Sequence, residues 1–560
     1  MKRFLFSALI PVLALAAACS NAVTFAPQQS SDNGDGTFTN PVLWSDCPDP
    51  DLIRVGDDYY LVSTTMHLMP GAPIMHSKDL VNWEVVSYIF DRLEETPYYS
   101  MEDGTVYGRG QWATSLRYKD GRFFAYFTPN DQPPKGWVYS TTDPKTEKWE
   151  LYSTLPHFHD ASFFFDDNGK AYMVYGTGMV RELKPDLTGV MEGGLDMQLF
   201  QRDKEENSLL EGSRMIKKDG KYYLLMISWP RGGIRRDVCY RADRIEGPYE
   251  KKVILETPFG GLGAGVAQGT IFDTPEGDWY SILFQDRGAV GRVPVLLPVY
   301  WEEDYPVFGV DGKVPQVVET ESTKPEYVYM DLVQSDDFKG GVWPVEEPKA
   351  TLRTTKDAWY DSFGFKSIWQ FNHEPELSLV ERDLEVGTVQ IITDKLCANV
   401  TQARNVLTQR MLFPSCGGSV MVDGSQLMEG DYAGLCAFQG KYAQVALTKE
   451  GEQLYVVLMA KGEDENTSMG KTKDTQPPVL LEKIAVESTR VRFKIEVDFD
   501  QMKDEAYLSY DAGEGWKRIG TAQKLYFRLD HFTGCRFGLF IYATQEIGGR
   551  VTFSEFIYQK

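Results

Sequence analysis

Along the first half of the chain, short runs of alternating apolar and polar residues return at a regular interval. Each is entered through a turn in which Gly stands beside Asp, Asn or Glu, followed by aromatic residues. The copies are RVGDDYYLVST (Gly56), YKDGRFFAYFT (Gly121), DDNGKAYMVYG (Gly169), KKDGKYYLLMI (Gly220) and TPEGDWYSILF (Gly277). An Asp-Gly or Asn-Gly pair between such runs is a strong hairpin signal, because a type I′ turn needs positive φ at both central residues. In several copies a further strand and turn follow, ending on Trp83, Trp149 or Tyr249. Four strands per unit, five units and a spacing of about fifty residues predict a five-bladed β-propeller over residues 38–320.

After PVLLPVYWEEDYPVFGVDGKVP the interval is lost. A Lys/Glu/Pro-containing crossing, placed at 321–334, leads into residues 335–560, where TVQIITDK, RVRFKIEVDFD and AYLSYDAGEGWKRIG predict an antiparallel β-sandwich. The fold class expected is therefore all-β. KGEDENTSMGKTKDTQPP reads as a solvated loop, and the Met-rich stretch around Met66, Met69 and Met75 reads more readily as packing than as a pocket entrance.

Composition narrows the function. With 42% hydrophobic and 13% aromatic residues the chain can bury large cores. A net charge of −23 excludes a nucleic-acid binder, which needs a basic face to displace counterions. Residues 1–19 combine Lys2 and Arg3 with an apolar run and small residues before Cys19, the pattern of an export signal with a lipoprotein-like box. Lipidation at Cys19 would be the only membrane attachment, and residues 20–37 a tether. The expected location is the periplasm or outer membrane. The other six cysteines show neither a disulfide framework nor metal-ligand spacing.

The inner strands of a propeller converge on its centre, so an acidic residue at the entrance of one can point into a shared pocket. Asp49 precedes the first blade, Asp160 in HFHDASFFF the third and Glu211 in LLEGSRMI the fourth, all just upstream of the repeated turn. Clustered carboxylates in a pocket suit glycoside hydrolysis, where one group protonates the leaving oxygen and another activates water on the opposite face. Their mutual repulsion raises the pKa of the acid. Asp46 and Asp51, which flank Asp49, read as turn and strand-start residues.

NPVLWSDCPDPDLIRVGDDYYLVSTT, HDASFFFDDNGKAYMVYG, EGSRMIKKDGKYYLLMIS and GRVPVLLPVYW resemble the propeller of glycoside hydrolase family 43, the β-xylosidases and α-L-arabinofuranosidases. DDF at 336–338, WQFNHEP, LTQR and DYAGLCAFQ resemble the sandwich of its β-xylosidase branch. The resemblance implies Asp49 as general base, Glu211 as general acid and Asp160 as modulator of the acid's pKa. It implies an inverting mechanism, with base and acid about 6.5–9.5 Å apart. By the same resemblance Arg292 and Trp112 contact the sugar, with His159 and Trp229 as further pocket candidates and Phe532 supplied by the sandwich, which then acts as a wall. The expected substrates are hemicellulose oligosaccharides carrying terminal arabinofuranose or xylose, such as fragments of xyloglucan or arabinoxylan. No cofactor is required. A structural calcium is left open, because Gln268 stands where many members carry His. A weak or inactive carbohydrate-binding protein on the same scaffold is the alternative reading. The fructan hydrolases are set aside because HDAS and EGS replace their RDP and EC motifs.

Overall fold

The computed structural model describes residues 30–560 apart from 94–95, 131–133, 207, 321–326, 346–357 and 463–473. The export signal with Cys19, most of the tether, part of the 321–334 crossing and most of the polar loop lie outside the described residues.

Five four-stranded antiparallel sheets, spanning 51–90, 115–156, 162–198, 209–255 and 266–308, follow one another in chain order as the blades of a propeller. Each repeated glycine has positive φ. The turns differ in detail. Asp120-Gly121 and Asp219-Gly220 are two-residue connections with positive φ at both positions, as a type I′ turn demands. The Gly169 and Gly277 turns sit in longer loops, 166–170 and 274–278.

Strand alternation explains how blades adhere. Side chains at successive positions face opposite sides of a sheet, so each blade shows one apolar face to the blade before it and another to the blade after. In the first blade Tyr60 and Val62 pack towards Phe123 and Phe127 of the second, whereas Tyr59 and Leu61 pack against Phe272 and Ile282 of the fifth. In the fourth, Leu224 and Met226 meet Phe164 and Val174 of the third, while Tyr223 and Leu225 meet Leu283 and Val295 of the fifth. Thr37–Thr39 pairs with Val317–Glu319, joining the two ends of the propeller region.

The rest of the chain forms an eight-stranded and a seven-stranded sheet, the two layers of the sandwich. The last strand of the larger sheet is Leu68–Met69, lent by the first blade and paired with Trp369–Asn372. One apolar cluster then runs from Tyr60, Val62 and Met69 in the propeller to Trp369, Phe371 and Leu407 in the sandwich. Met66, Met69 and Met75 are buried packing residues. The six described cysteines are buried and unpaired.

A core shared by both parts should melt as one unit. Calorimetry is expected to give a single cooperative transition, and Phe371→Ala, which removes a ring buried at the junction, should cost about 3–5 kcal/mol and lower that transition. A separate sandwich transition in the variant would contradict the shared core.

Candidate active site

The three candidate carboxylates stand at equivalent places. Asp49 lies in the Pro-Asp-Pro turn just before Asp51–Val55, and Asp160 lies just before Ser162–Phe165. Both have a left-handed backbone, φ 52° and 46°, a conformation Asp tolerates better than most residues. Glu211 sits within Leu209–Lys218 at a bulge that includes Gly212, φ 70°. A bulge re-aims the side chain beside it. The equivalent bulge of the fifth blade falls between Ala267 and Gly269, at Gln268.

Contacts tie these residues into a ring. Arg292, the first residue of its strand, donates from Nη1 to both oxygens of Asp49 at 3.1 and 3.3 Å. Its guanidinium lies 4.4 Å from the centre of the Phe532 ring, and Nη2 donates to the Phe532 carbonyl at 3.4 Å. Phe532 comes from the sandwich and also has positive φ. Its ring stands 5.7 Å from Trp112, and Trp112 stands 6.1 Å from His159. His159 Nε2 is 3.2 Å from Glu211 Oε2 and 3.9 Å from Asp160 Oδ1. The ring closes electrostatically, because the Asp49 charge acts on both His159 and Asp160.

Burial separates the carboxylates. The Asp49 and Asp160 side chains are 7% and 6% exposed, against 29% for Glu211. Burial, reinforced by the charges of Glu211 and Asp49 and opposed by His159, pushes the Asp160 carboxyl up to about 7. His159 moves up to about 9, first through its hydrogen bond to Glu211 and against the effect of burial. At neutral pH the ring is therefore charged, with Nε2 turned towards Glu211. The donor atoms of His159, Asp160 and Glu211 all lie within 4.8 Å of one another, a spacing a metal ion can bridge.

The structure thus brings together Asp49, Asp160, Glu211, Arg292, Trp112, His159 and Phe532. Trp229 is linked to the ring only indirectly, through Arg235 and Phe284, whose ring lies 5.7 Å from the Arg235 guanidinium and 5.5 Å from that of Arg292. It is exposed at the end of Lys221–Trp229, with Nε1 donating to the Gly233 carbonyl at 3.0 Å and the Arg235 guanidinium 4.9 Å from its ring.

Two residues read as local have wider roles. Asp46 is half-buried and accepts from the backbone N–H of Arg292 through Oδ1 and of Gly534 through Oδ2, each at 2.7 Å. Asp51 does begin its strand, but its Oδ2 also accepts from Leu116 N and Arg117 Nη1, each at 2.8 Å. The cluster of acids around a Pro-x-Pro turn was the available signal; the partners are distant in sequence. A further cation does not fit beside Asp51, where the buried Arg214 guanidinium already faces the Asp51 carboxylate and the oxygens of neighbouring blades.

The family model described as glycosyl hydrolases family 43 matches residues 38–306. The model of the β-xylosidase C-terminal concanavalin A-like domain matches 360–559. A β-xylosidase of Formosa agariphila is 26% identical over 94% of the chain and 91% of its own length. A non-reducing end α-L-arabinofuranosidase of Bacteroides ovatus is 30% identical over 54% of the chain and 59% of its own length. Among solved structures, a bifunctional GH43-CE protein of Bacteroides eggerthii superposes with a TM-score of 0.80 at 39% identity over 93% of the chain; the chain spans 63% of that protein.

Beneath Gln268, the buried Asp237 carboxylate accepts from its backbone N–H at 3.1 Å, and burial pushes the Asp237 carboxyl up to about 7. A carboxyl raised on folding holds its proton more tightly in the native state. Its contribution to stability is full below the unfolded value near 3.8 and is lost as pH rises through about 7. Asp237→Asn keeps the acceptor and removes the ionisation. The fall in melting temperature between pH 5 and 8, followed by circular dichroism, should be smaller in the variant than in the parent, and equal falls would refute the assignment.

Proposed function

The chain belongs to glycoside hydrolase family 43, and from that premise we propose that its ring of residues is the active site of an inverting, exo-acting glycosidase with Asp49 as general base, Glu211 as general acid and Asp160 as the acid's modulator. The observation that carries the reading is the convergence of the three carboxylates from three blades, with His159 against Glu211 and Arg292 against Asp49.

In the reaction, Asp49 takes a proton from a water molecule as its oxygen bonds to the anomeric carbon. Glu211 gives its proton to the departing glycosidic oxygen as that bond breaks. Glu211, the more exposed acid, is the one placed to meet a leaving group that must exit. Asp160 beside it shares the local negative charge, so ionising one discourages ionising the other. Arg292 holds Asp49 and leaves its remaining donors for sugar hydroxyls. Trp112 and Phe532 form apolar walls for the sugar ring.

The substrates proposed are terminal α-L-arabinofuranose, β-D-xylose or both, on hemicellulose oligosaccharides such as fragments of xyloglucan or arabinoxylan. The activities named for the relatives support this class. A pocket walled by the sandwich accommodates a chain end in preference to a continuous polymer. Export to the periplasm or outer membrane, with Cys19 lipidated, would place the enzyme where such fragments arrive.

Side-by-side hydrolysis of nitrophenyl α-L-arabinofuranoside and nitrophenyl β-D-xylopyranoside is expected to show turnover of at least one, with inversion visible by proton NMR. Turnover of neither, on these or on hemicellulose oligosaccharides, would sink the enzyme reading. Glu211→Ala should lose about 10²–10⁴-fold in kcat on a natural oligosaccharide, whose leaving group needs a proton, and much less on an activated aryl glycoside. An equal loss on both would remove Glu211 from the acid role. Phe532→Ala should raise KM while leaving the folded state intact.

A further inference from the structure

Arg214 takes no part in the reaction as drawn, yet it is among the largest fully buried side chains, at 1% exposed. It leaves the fourth blade three residues after Glu211 and reaches across the propeller. Nη1 donates to the carbonyl oxygens of Ser213 at 3.0 Å and Ala161 at 3.4 Å, and Nη2 donates to that of Thr114 at 3.3 Å. Nε stands 3.5 Å from Asp51 Oδ1. These partners belong to the fourth and third blades, the entrance of the second, and the first. A side chain in touch with four of five blades lies at their common axis.

The partners are also neighbours of the site. Asp51 is two residues past Asp49, Thr114 two past Trp112, Ala161 directly follows Asp160, and Ser213 is two past Glu211. Three backbone oxygens and a carboxylate are what a hard divalent cation would take. Here the same donors face a planar, permanently charged group that cannot dissociate.

We propose that Arg214 is the positioning residue of this active site, a cation built into the chain that holds the segments bearing Asp49, Trp112, Asp160 and Glu211 in register and makes the propeller centre independent of bound metal. The metal-independence stands on the packing alone; the effect on turnover rests on the assignment of the three carboxylates above. The charged groups around the guanidinium are Asp51 with its partner Arg117, and beyond them Asp160, Glu211, His159 and Asp49. Arg214 favours the ionised form of Asp160, so its removal should displace the pH profile upwards, which a loss of packing alone would not do.

The wild-type protein, treated with EDTA and then titrated with Ca²⁺, is expected to keep its kcat and melting temperature throughout. A loss that Ca²⁺ restores would overturn the metal-independence. Arg214→Ala and Arg214→Lys are compared by circular dichroism and kinetics. The alanine variant should lose about 100-fold in kcat, the order expected from displaced catalytic groups, with a profile moved to higher pH and partial recovery on adding guanidinium ion. If it does not fold, the lysine variant, which keeps charge without the planar fork, should fold with intermediate kcat. Unchanged kcat and pH profile in a folded variant would overturn the positioning role. Glu211→Ala assayed in parallel separates the two failures: full activity there would indict the carboxylate assignment instead.

Discussion

The architecture turns on one carboxylate at the seam between propeller and sandwich. Asp46 spends both oxygens on backbone N–H groups, one from Arg292 at the entrance of a fifth-blade strand and one from Gly534 in a sandwich loop, while its own carbonyl accepts from Arg410. The approach is so close that the residue before Arg292 must be glycine: a Cβ on Gly291 would lie 2.3 Å from Asp46 Oδ1. Gly534 is equally confined, with the Val290 carbonyl 2.2 Å from the position of a Cβ. A carboxylate so confined is tolerated when hydrogen-bonded and compensated by charge. Three residues beyond it lies Asp49, and two residues before Gly534 lies Phe532. The clamp therefore sets where Arg292 starts, and Arg292 in turn faces Asp49 on one side and stacks on Phe532 on the other.

The same economy governs charge in the pocket. Three of the acidic groups each meet a cation of their own: Asp49 meets Arg292, Glu211 meets His159, and Asp51 meets Arg117 and Arg214. Asp160 is the least compensated, since His159 stands 3.9 Å away and shares its charge with Glu211. Burial is the first cause that pushes the Asp160 carboxyl up to about 7, and the nearby charges of Glu211 and Asp49 add to it. On the function proposed above, a group that titrates near neutrality beside Glu211 is suited to tune it as an acid.

How much of this was legible in the sequence depended on how local each cause was. The hairpins announced themselves because turn chemistry and alternation act within ten residues, and the five glycine turns all carry the positive φ their sequence required. The three carboxylates could be singled out because each occupies the same place relative to a repeated turn. Asp46 could not be read correctly, since its partners lie 246 and 488 residues away. Arg214 escaped for the same reason: in sequence it is one basic residue in an ordinary strand, and its meaning appears only when four blades surround it. Trp112 and Phe532 were legible through family resemblance alone, because an aromatic in a core and an aromatic in a pocket look alike in a chain.

These observations bear on what the sandwich is for. A carbohydrate-binding appendage would keep its own core and leave the pocket intact when removed. This sandwich instead accepts Leu68–Met69 of the first blade as a strand, continues the apolar cluster of the first two blades, and sends Phe532 between Arg292 and Trp112. It is a wall of the pocket as well as half of the seam. A change in the loop around Phe532 therefore reaches Arg292 and Trp112 directly, while Glu211 and Asp160 stay on the inner strands. On the function proposed above, substrate preference is open to alteration at the seam, while the acid and its modulator stay on the inner strands around Arg214.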